Sequence, residues 1–430
     1  MFAGIETERL RSTLSYNKES DFTENTFTVK RLAILSLHTS PLAQPGVGDG
    51  GGMNVYVREF ASALAQTGVR CRVYVRDWCS DLPPFFEVEP GFEIVHVEAG
   101  PCDVAKEQLP HYVDEFAQGV AKDFEQFKPE AIHANYWLSG IAGNILKRQF
   151  DLPLLTTFHT LARVKAESGD FEPESRAKAE AAVMGCADVV VSNCEAESDQ
   201  LVDLYDVDPE RIEIISPGVD HAFFSPGPKR GARWALQTDD RPLLLFVGRI
   251  QPLKGVDIAV KALAQSTFDD ARLWIVGGAS GTEGATELKN LNAMIDDLGL
   301  TDRVKFFPPQ PHHKLGTYYR AADVCLIPSR SESFGLVALE AAACGTPCVA
   351  SAVGGLVTLV NQNETGYLVD SRDPADYAKA VDQVLSNPTL AKDMSKAAAH
   401  HAQQYTWSES AKRLATVASK VADRQLEPCE

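Results

Sequence analysis

From residue 31 onward, short apolar runs rich in Val, Ile and Leu alternate with longer stretches whose apolar residues recur every three or four positions. Short runs bounded by Gly, Pro, Asn or Asp are strands, and the longer stretches are amphipathic helices. In the first half the pattern predicts strands at 31–37, 71–75, 92–97, 131–134, 152–158, 187–193 and 212–216. The rhythm then breaks at "SPGVDHAFFSPGPKRG", residues 216–231, which carries three prolines and three glycines and reads as a linker. It resumes with strands at 242–248, 271–278, 304–307, 322–329, 346–351 and 366–370. Alternation of this kind predicts an α/β protein with two doubly wound, Rossmann-like parallel sheets facing each other across a cleft. The expected units are residues 31–217 and 218–405, preceded by a flexible polar extension at 1–30. The amphipathic segment within 406–430 is expected to pack back on the first domain. Open sheets bind ligands beyond the carboxyl ends of their strands, so the cleft is the expected site.

Composition narrows the possibilities. The 430 residues are 44% apolar and 23% charged, as in ordinary globular enzymes. No apolar run approaches ~18 residues and the amino terminus lacks an apolar signal core, so we expect a cytoplasmic protein with no membrane span. A formal charge of −18 argues against a nucleic-acid or anionic membrane surface. Any bound phosphate must therefore meet a local basic pocket. The nine cysteines are odd in number, form no C-x-x-C pair and lie mostly in apolar runs, which predicts a reduced, buried set.

The stretch "HTSPLAQPGVGDGGGMNVYVREF", residues 38–60, places Gly46, Gly48 and Gly51 at the spacing of a dinucleotide-binding turn. Such a turn follows its strand almost immediately, whereas eight residues separate Leu37 from Gly46. The alternatives are a nicotinamide site with Asp77 as the ribose acid, a plain surface loop, or a loop that lets a ligand reach the N–H groups of Gly51, Gly52 and Met53 at a helix start. The third reading suits phosphate chemistry best. Consistent with it, "FVGRIQPLKG" sets Arg249 and Lys254 just past a buried strand, where two cations can neutralise a diphosphate, although either alone could be a solvated surface charge. In "SRSESFGLVALEAAACGTP" Glu332 precedes a small-residue helix and Glu340 lies on it, with seven residues between them. The N–H groups of Ser333, Phe334, Gly335 and Leu336 form a second anion site, and a carboxylate beside it can accept hydrogen bonds from sugar hydroxyls.

The E-x7-E pattern from Glu332 to Glu340, with "VGR...K" before it and a Gly-rich first loop, resembles the retaining glycosyltransferases of the GT-B fold, family 4. The resemblance covers nearly all of the chain after residue 30. With "AGPCDVAK", "HANYWLSG" and "TFHTL" added, it implies transfer of N-acetylglucosamine from UDP-N-acetylglucosamine to 1D-myo-inositol 3-phosphate, the first step of mycothiol synthesis. Carried over position by position, it implies an acceptor site made by His38, Lys106, Tyr136, Thr160, Arg176 and the loop Asp49, Gly50, Gly51, Gly52, Met53 and Asn54. Because "RVKAESGDFEPESRAKAE" differs in length from relatives, the phosphate-facing residue is Arg176 or Lys178. The implied donor site is Gln44, Pro45, Gly52, Arg249, Lys254, Gln310, Glu332 and Glu340, with Glu332 on the sugar and Glu340 on the uridine ribose. Magnesium near Tyr319 and Arg320 is compatible with the family but not needed for its chemistry, and the family suggests a homodimer. The pairs His312–His313 and His400–His401 lack metal-ligand spacing and read as surface residues.

No nucleophilic carboxylate is evident for the sugar's far face, which a double displacement needs. The family mechanism is a same-face substitution in which the leaving UDP phosphate takes the acceptor proton. Arg249, Lys254 and the helix terminus near Ser333 would stabilise the diphosphate, and the His159 carbonyl would lie near the anomeric carbon. Two alternatives remain: another family 4 transferase such as a sucrose-phosphate synthase, and a UDP-N-acetylglucosamine 2-epimerase, which needs no acceptor.

Overall fold

The computed structural model describes residues 27–46, 50–77, 83–170, 172–280 and 284–423. Residues 1–26 of the expected extension lie outside that set, as do Asp49 and residues 424–430.

The first sheet is built from β1 (Arg31–Ser36), β2 (Arg70–Arg76), β3 (Phe85–Glu89), β4 (Phe92–Val97), β5 (Ala131–Asn135), β6 (Leu154–Thr157), β7 (Val189–Ser192) and β8 (Ile212–Ile214). Their order is β3-β4-β2-β1-β5-β6-β7-β8. All pairs are parallel except β3 with β4. The second sheet holds β9 (Leu243–Val247), β10 (Arg272–Val276), β11 (Val304–Phe307), β12 (Val324–Ile327), β13 (Cys348–Ser351) and β14 (Gly366–Val369). Its order is β11-β10-β9-β12-β13-β14, parallel throughout. Each predicted strand is present: β4 and β11 keep the expected bounds, β2 and β5 run slightly longer, and the others are trimmed by a residue or two where their end positions leave the ladder. The pattern missed β3, whose Phe85 and Phe86 are exposed on an antiparallel edge rather than buried on both faces.

Central strands such as β1 and β5 are buried almost throughout, as expected of parallel strands covered on both sides. The helix Trp407–Ala422 packs along Gly52–Gln66, and its Trp407, Leu414 and Val417 join the core under β1 and β2. The chain therefore crosses between domains twice, once at 216–219 and again near Thr406. The crossings lie side by side, with Val219 N donating to Tyr405 O at 3.2 Å and Ser410 Oγ to Ser216 O at 2.6 Å. Among the described residues Cys186 departs from the reduced set, being disulfide-bonded, and Cys102 is free but exposed, whereas Cys71, Cys194, Cys325, Cys344 and Cys348 are free and buried.

Candidate active site

Between the sheets lies a cleft of about 1450 Å³ lined by both domains. Its floor is the junction of β1 with the helix Gly52–Gln66. Gly51 N donates to Asn54 Oδ1 at 2.8 Å, while Asn54 Nδ2 donates to Thr39 Oγ1 and Ser40 O, each at 2.5 Å. That side chain therefore fixes the loop and leaves the N–H groups of the first turn facing the cleft. Gly51 lies against the opposite domain: a Cβ there would stand 3.6 Å from Arg249 Nε, in ordinary van der Waals contact. Gly46 and Gly51 through Asn54 line the cleft, and Gly50 does not. Gln44 is outside the lining too, and its Nε2 instead donates to Pro309 O at 3.1 Å, joining the loop to the second domain.

The second domain supplies the other wall. Lys254 Nζ lies 2.7 Å from Glu332 Oε2, so a cation and a carboxylate expected at the diphosphate and sugar are adjacent. Gly335 adopts a left-handed φ of 101° to start the helix Leu336–Ala343, whose first N–H groups open toward the same wall. Gln310 lines the cleft with its Nε2 donating to Pro308 O at 2.8 Å. Glu340 is buried and held at both oxygens, since Tyr319 OH donates to Oε2 and His312 Nε2 to Oε1, both at 2.7 Å, and each oxygen keeps a lone pair for a further donor. His312 is thus not the surface residue its sequence context suggests. Burial opposes its charged form, but Glu340 and then Glu59 outweigh that and raise its pKa. Nothing in the local pattern marks this histidine, because its partner lies 28 positions away.

The wall expected to take the acceptor centres on Tyr136, itself strained at φ 77°. Lys106 Nζ stands 5.8 Å and the Arg176 guanidinium 5.2 Å from its ring centre, and the His38 ring lies 4.3 Å away. Arg176 lines the cleft whereas Lys178 is exposed and outside it. The guanidinium is held by Glu180 at 2.9 Å, Glu172 at 2.8 Å and the Thr160 carbonyl and hydroxyl at 3.0 Å, so it is oriented and partly neutralised. Glu172, Glu180 and Lys165, which binds Glu172, were not legible as site residues. Burial, reinforced by Lys106, His159, Arg249 and Arg176, holds His38 well below the usual imidazole range. It is therefore neutral, and its buried Nδ1 has no partner among the described residues.

His159 joins the walls. Its φ of 63° is left-handed, its Nε2 donates to Asn135 Oδ1 at 2.9 Å, and its carbonyl accepts from the Ser333 hydroxyl of the second domain. Burial pushes its pKa down to about 3, so the ring is neutral. A further buried acid, Glu197, also lines the cleft; burial pushes it up to about 7 against the donated bonds from Asn193 N and Nδ2. Among the described residues no cluster of three His, Cys, Asp or Glu could hold a metal ion, and Tyr319 and Arg320 are engaged with Glu340 and with the carbonyls of Phe223 and Ser225. Among the same residues no helix is long and apolar enough to cross a membrane.

Two family models match in series. Glycosyltransferase Family 4 covers residues 50–223, and Glycosyl transferases group 1 covers 230–401. The chain is 44% identical over 402 residues to the D-inositol 3-phosphate glycosyltransferase of Acidothermus cellulolyticus, spanning 89% of each chain. It is 45% identical over 386 residues to that of a Mycobacterium species, spanning 88% of this chain and 87% of the relative. Among solved structures it resembles the sucrose-phosphate synthase of Thermosynechococcus elongatus, with a TM-score of 0.85 and 33% identity over 90% of this chain and 98% of that one. Anabaena Alr3699/HepE in complex with UDP and glucose shares the fold, with a TM-score of 0.73 and 20% identity over 91% of this chain and all of that one.

Proposed function

The chain belongs to glycosyltransferase family 4, and from that premise we propose that it transfers N-acetylglucosamine from UDP-N-acetylglucosamine to 1D-myo-inositol 3-phosphate with retention of configuration. The observation that carries the reading is the division of the cleft. One wall offers Lys106 and Arg176 around Tyr136 for a phosphorylated polyol, and the other offers Arg249, Lys254 and a helix start for a diphosphate. The 44% identical relative supports the choice of acceptor.

In this reading the diphosphate lies against Arg249, Lys254 and the N–H groups of Ser333 through Leu336, which stabilise negative charge as the glycosidic bond breaks. Glu332, held by Lys254, accepts bonds from sugar hydroxyls. Glu340, fixed by His312 and Tyr319, faces the ribose. The His159 carbonyl lies against the positive charge that develops at the anomeric centre. Burial holds the His159 ring at a pKa of about 3, too weak a base for the task, so the acceptor proton passes to the departing phosphate. The reaction so described needs no metal, and the protein acts in the cytoplasm.

The second reading is a sucrose-phosphate synthase, favoured by the 0.85 TM-score. The discriminating experiment compares inositol 3-phosphate, unphosphorylated inositol and fructose 6-phosphate as acceptors for the parent and for Lys106→Ala. We expect inositol phosphate to be preferred, and Lys106→Ala to lower its kcat/KM by roughly 10- to 150-fold, as for a charged hydrogen bond of about 1.5–3 kcal/mol, while scarcely affecting plain inositol. Equal losses for both inositols would misplace the phosphate pocket. Preference for fructose 6-phosphate would favour the second reading.

A further inference from the structure

Ser333 makes two bonds to the opposite domain. Its hydroxyl donates to the His159 carbonyl, and its own carbonyl accepts the Cys194 thiol at 3.3 Å. Burial pushes that thiol up to about 11, so it stays protonated and able to donate at neutral pH. His159 itself occupies a left-handed conformation that a non-glycine residue keeps only when its surroundings hold it. On the first-domain side the ring is held by Asn135 at 2.9 Å and by the edge of Tyr56, with ring centres 4.7 Å apart. The carbonyl is held from the second domain. Because a carbonyl oxygen has two lone pairs, the Ser333 bond leaves one for a ligand.

We infer that Ser333 is a positioning residue whose hydroxyl ties the orientation of the His159 carbonyl to the approach of the two domains, with Cys194 anchoring Ser333 in turn. The inference rests on the proposed placement of that carbonyl beside the donor sugar. It assigns the hydroxyl a task separate from the Ser333 N–H, which faces the diphosphate. When the second domain draws back, the hydroxyl leaves and the strained peptide is free to turn. When it returns, the carbonyl is aimed again, so the electrostatic environment of the anomeric centre is complete only in the closed cleft.

The test is steady-state kinetics of Ser333→Ala, Ser333→Thr, Cys194→Ala and the double variant, with thermal melts of each. Loss of one neutral hydrogen bond predicts a kcat about fivefold lower for Ser333→Ala, with KM for UDP-N-acetylglucosamine within twofold. Ser333→Thr, which keeps the hydroxyl, should return kcat to within twofold of the parent. Cys194→Ala should lower kcat less, and adding it to Ser333→Ala should cost little more, because both variants release the same peptide. The inference is overturned if Ser333→Ala raises KM at unchanged kcat, which makes the hydroxyl an ordinary donor contact. Fully additive losses in the double variant overturn it as well, as does a Thr variant that melts like the parent yet turns over like the Ala variant. All ratios are taken with whichever acceptor the parent uses. Rejection of inositol phosphate would therefore sink the functional reading and leave this test intact.

Discussion

At the scale of single residues, the cleft separates carboxylates by environment. Glu332 is paired with Lys254 at 2.7 Å. Glu332→Gln keeps the shape but removes a charged acceptor worth ~3 kcal/mol in the transition state, so turnover should fall roughly 10²-fold while the UDP dissociation constant changes far less. Unaltered kcat in that variant would remove Glu332 from the site. Among the described residues Glu197 has no such cation beside it, and burial raises its pKa to about 7. A group that binds its proton more tightly folded than unfolded contributes stability below its unfolded pKa and loses it as pH rises through the folded value. That contribution is present below the ordinary carboxyl range near pH 4.5 and gone above about pH 7. Glu197→Gln cannot ionise, so its melting temperature relative to the parent should climb between pH 5 and pH 8. A constant difference across that range would show that Glu197 does not titrate there.

Among the elements, the paired crossings between domains are the most demanding. A Cβ on Gly218 would lie 2.1 Å from Trp407 N and 2.4 Å from the Thr406 carbonyl carbon, both main-chain atoms that cannot swing aside. Gly218→Ala should therefore destabilise the protein by about 1–3 kcal/mol, the usual range for overpacking, read as a lower denaturant midpoint. A midpoint equal to the parent's would mean that the crossings separate without cost. The same elements show what the amino-acid pattern can reveal. Buried parallel strands such as β1 and β12 announce themselves as apolar runs, and the linker by its prolines and glycines. The edge strand β3 carries its aromatics outward and gives no such run. Arg249, Lys254 and Glu332 could be found because each sits in a short motif at a strand end or helix start. His312, Glu172 and Glu197 could not, because each becomes a cleft residue only through partners or walls that the fold brings near, and Glu180 enters only as the buried support of Arg176. Gln44 shows the converse: it sits in a motif, yet its amide is spent on Pro309 across the cleft.

For the whole molecule, the issue is how a chain of charge −18 gathers two phosphorylated substrates. Long-range repulsion leaves the task to local groups, and the cleft concentrates them: Lys106 and Arg176 on one wall, Arg249 and Lys254 on the other. In the proposed reading two substrates are held on facing walls, and the His159 carbonyl and Ser333 lie where the walls meet. That arrangement suits direct transfer between them, in contrast to an epimerase, which works on a single nucleotide sugar. The most direct measurement is to incubate the protein with UDP-N-acetylglucosamine and 1D-myo-inositol 3-phosphate, follow UDP release, and determine the mass and anomeric configuration of the product. We predict one UDP released per molecule of α-linked N-acetylglucosaminyl inositol phosphate, and negligible release without acceptor. UDP release that is indifferent to the acceptor, or a β-linked product, would contradict the account.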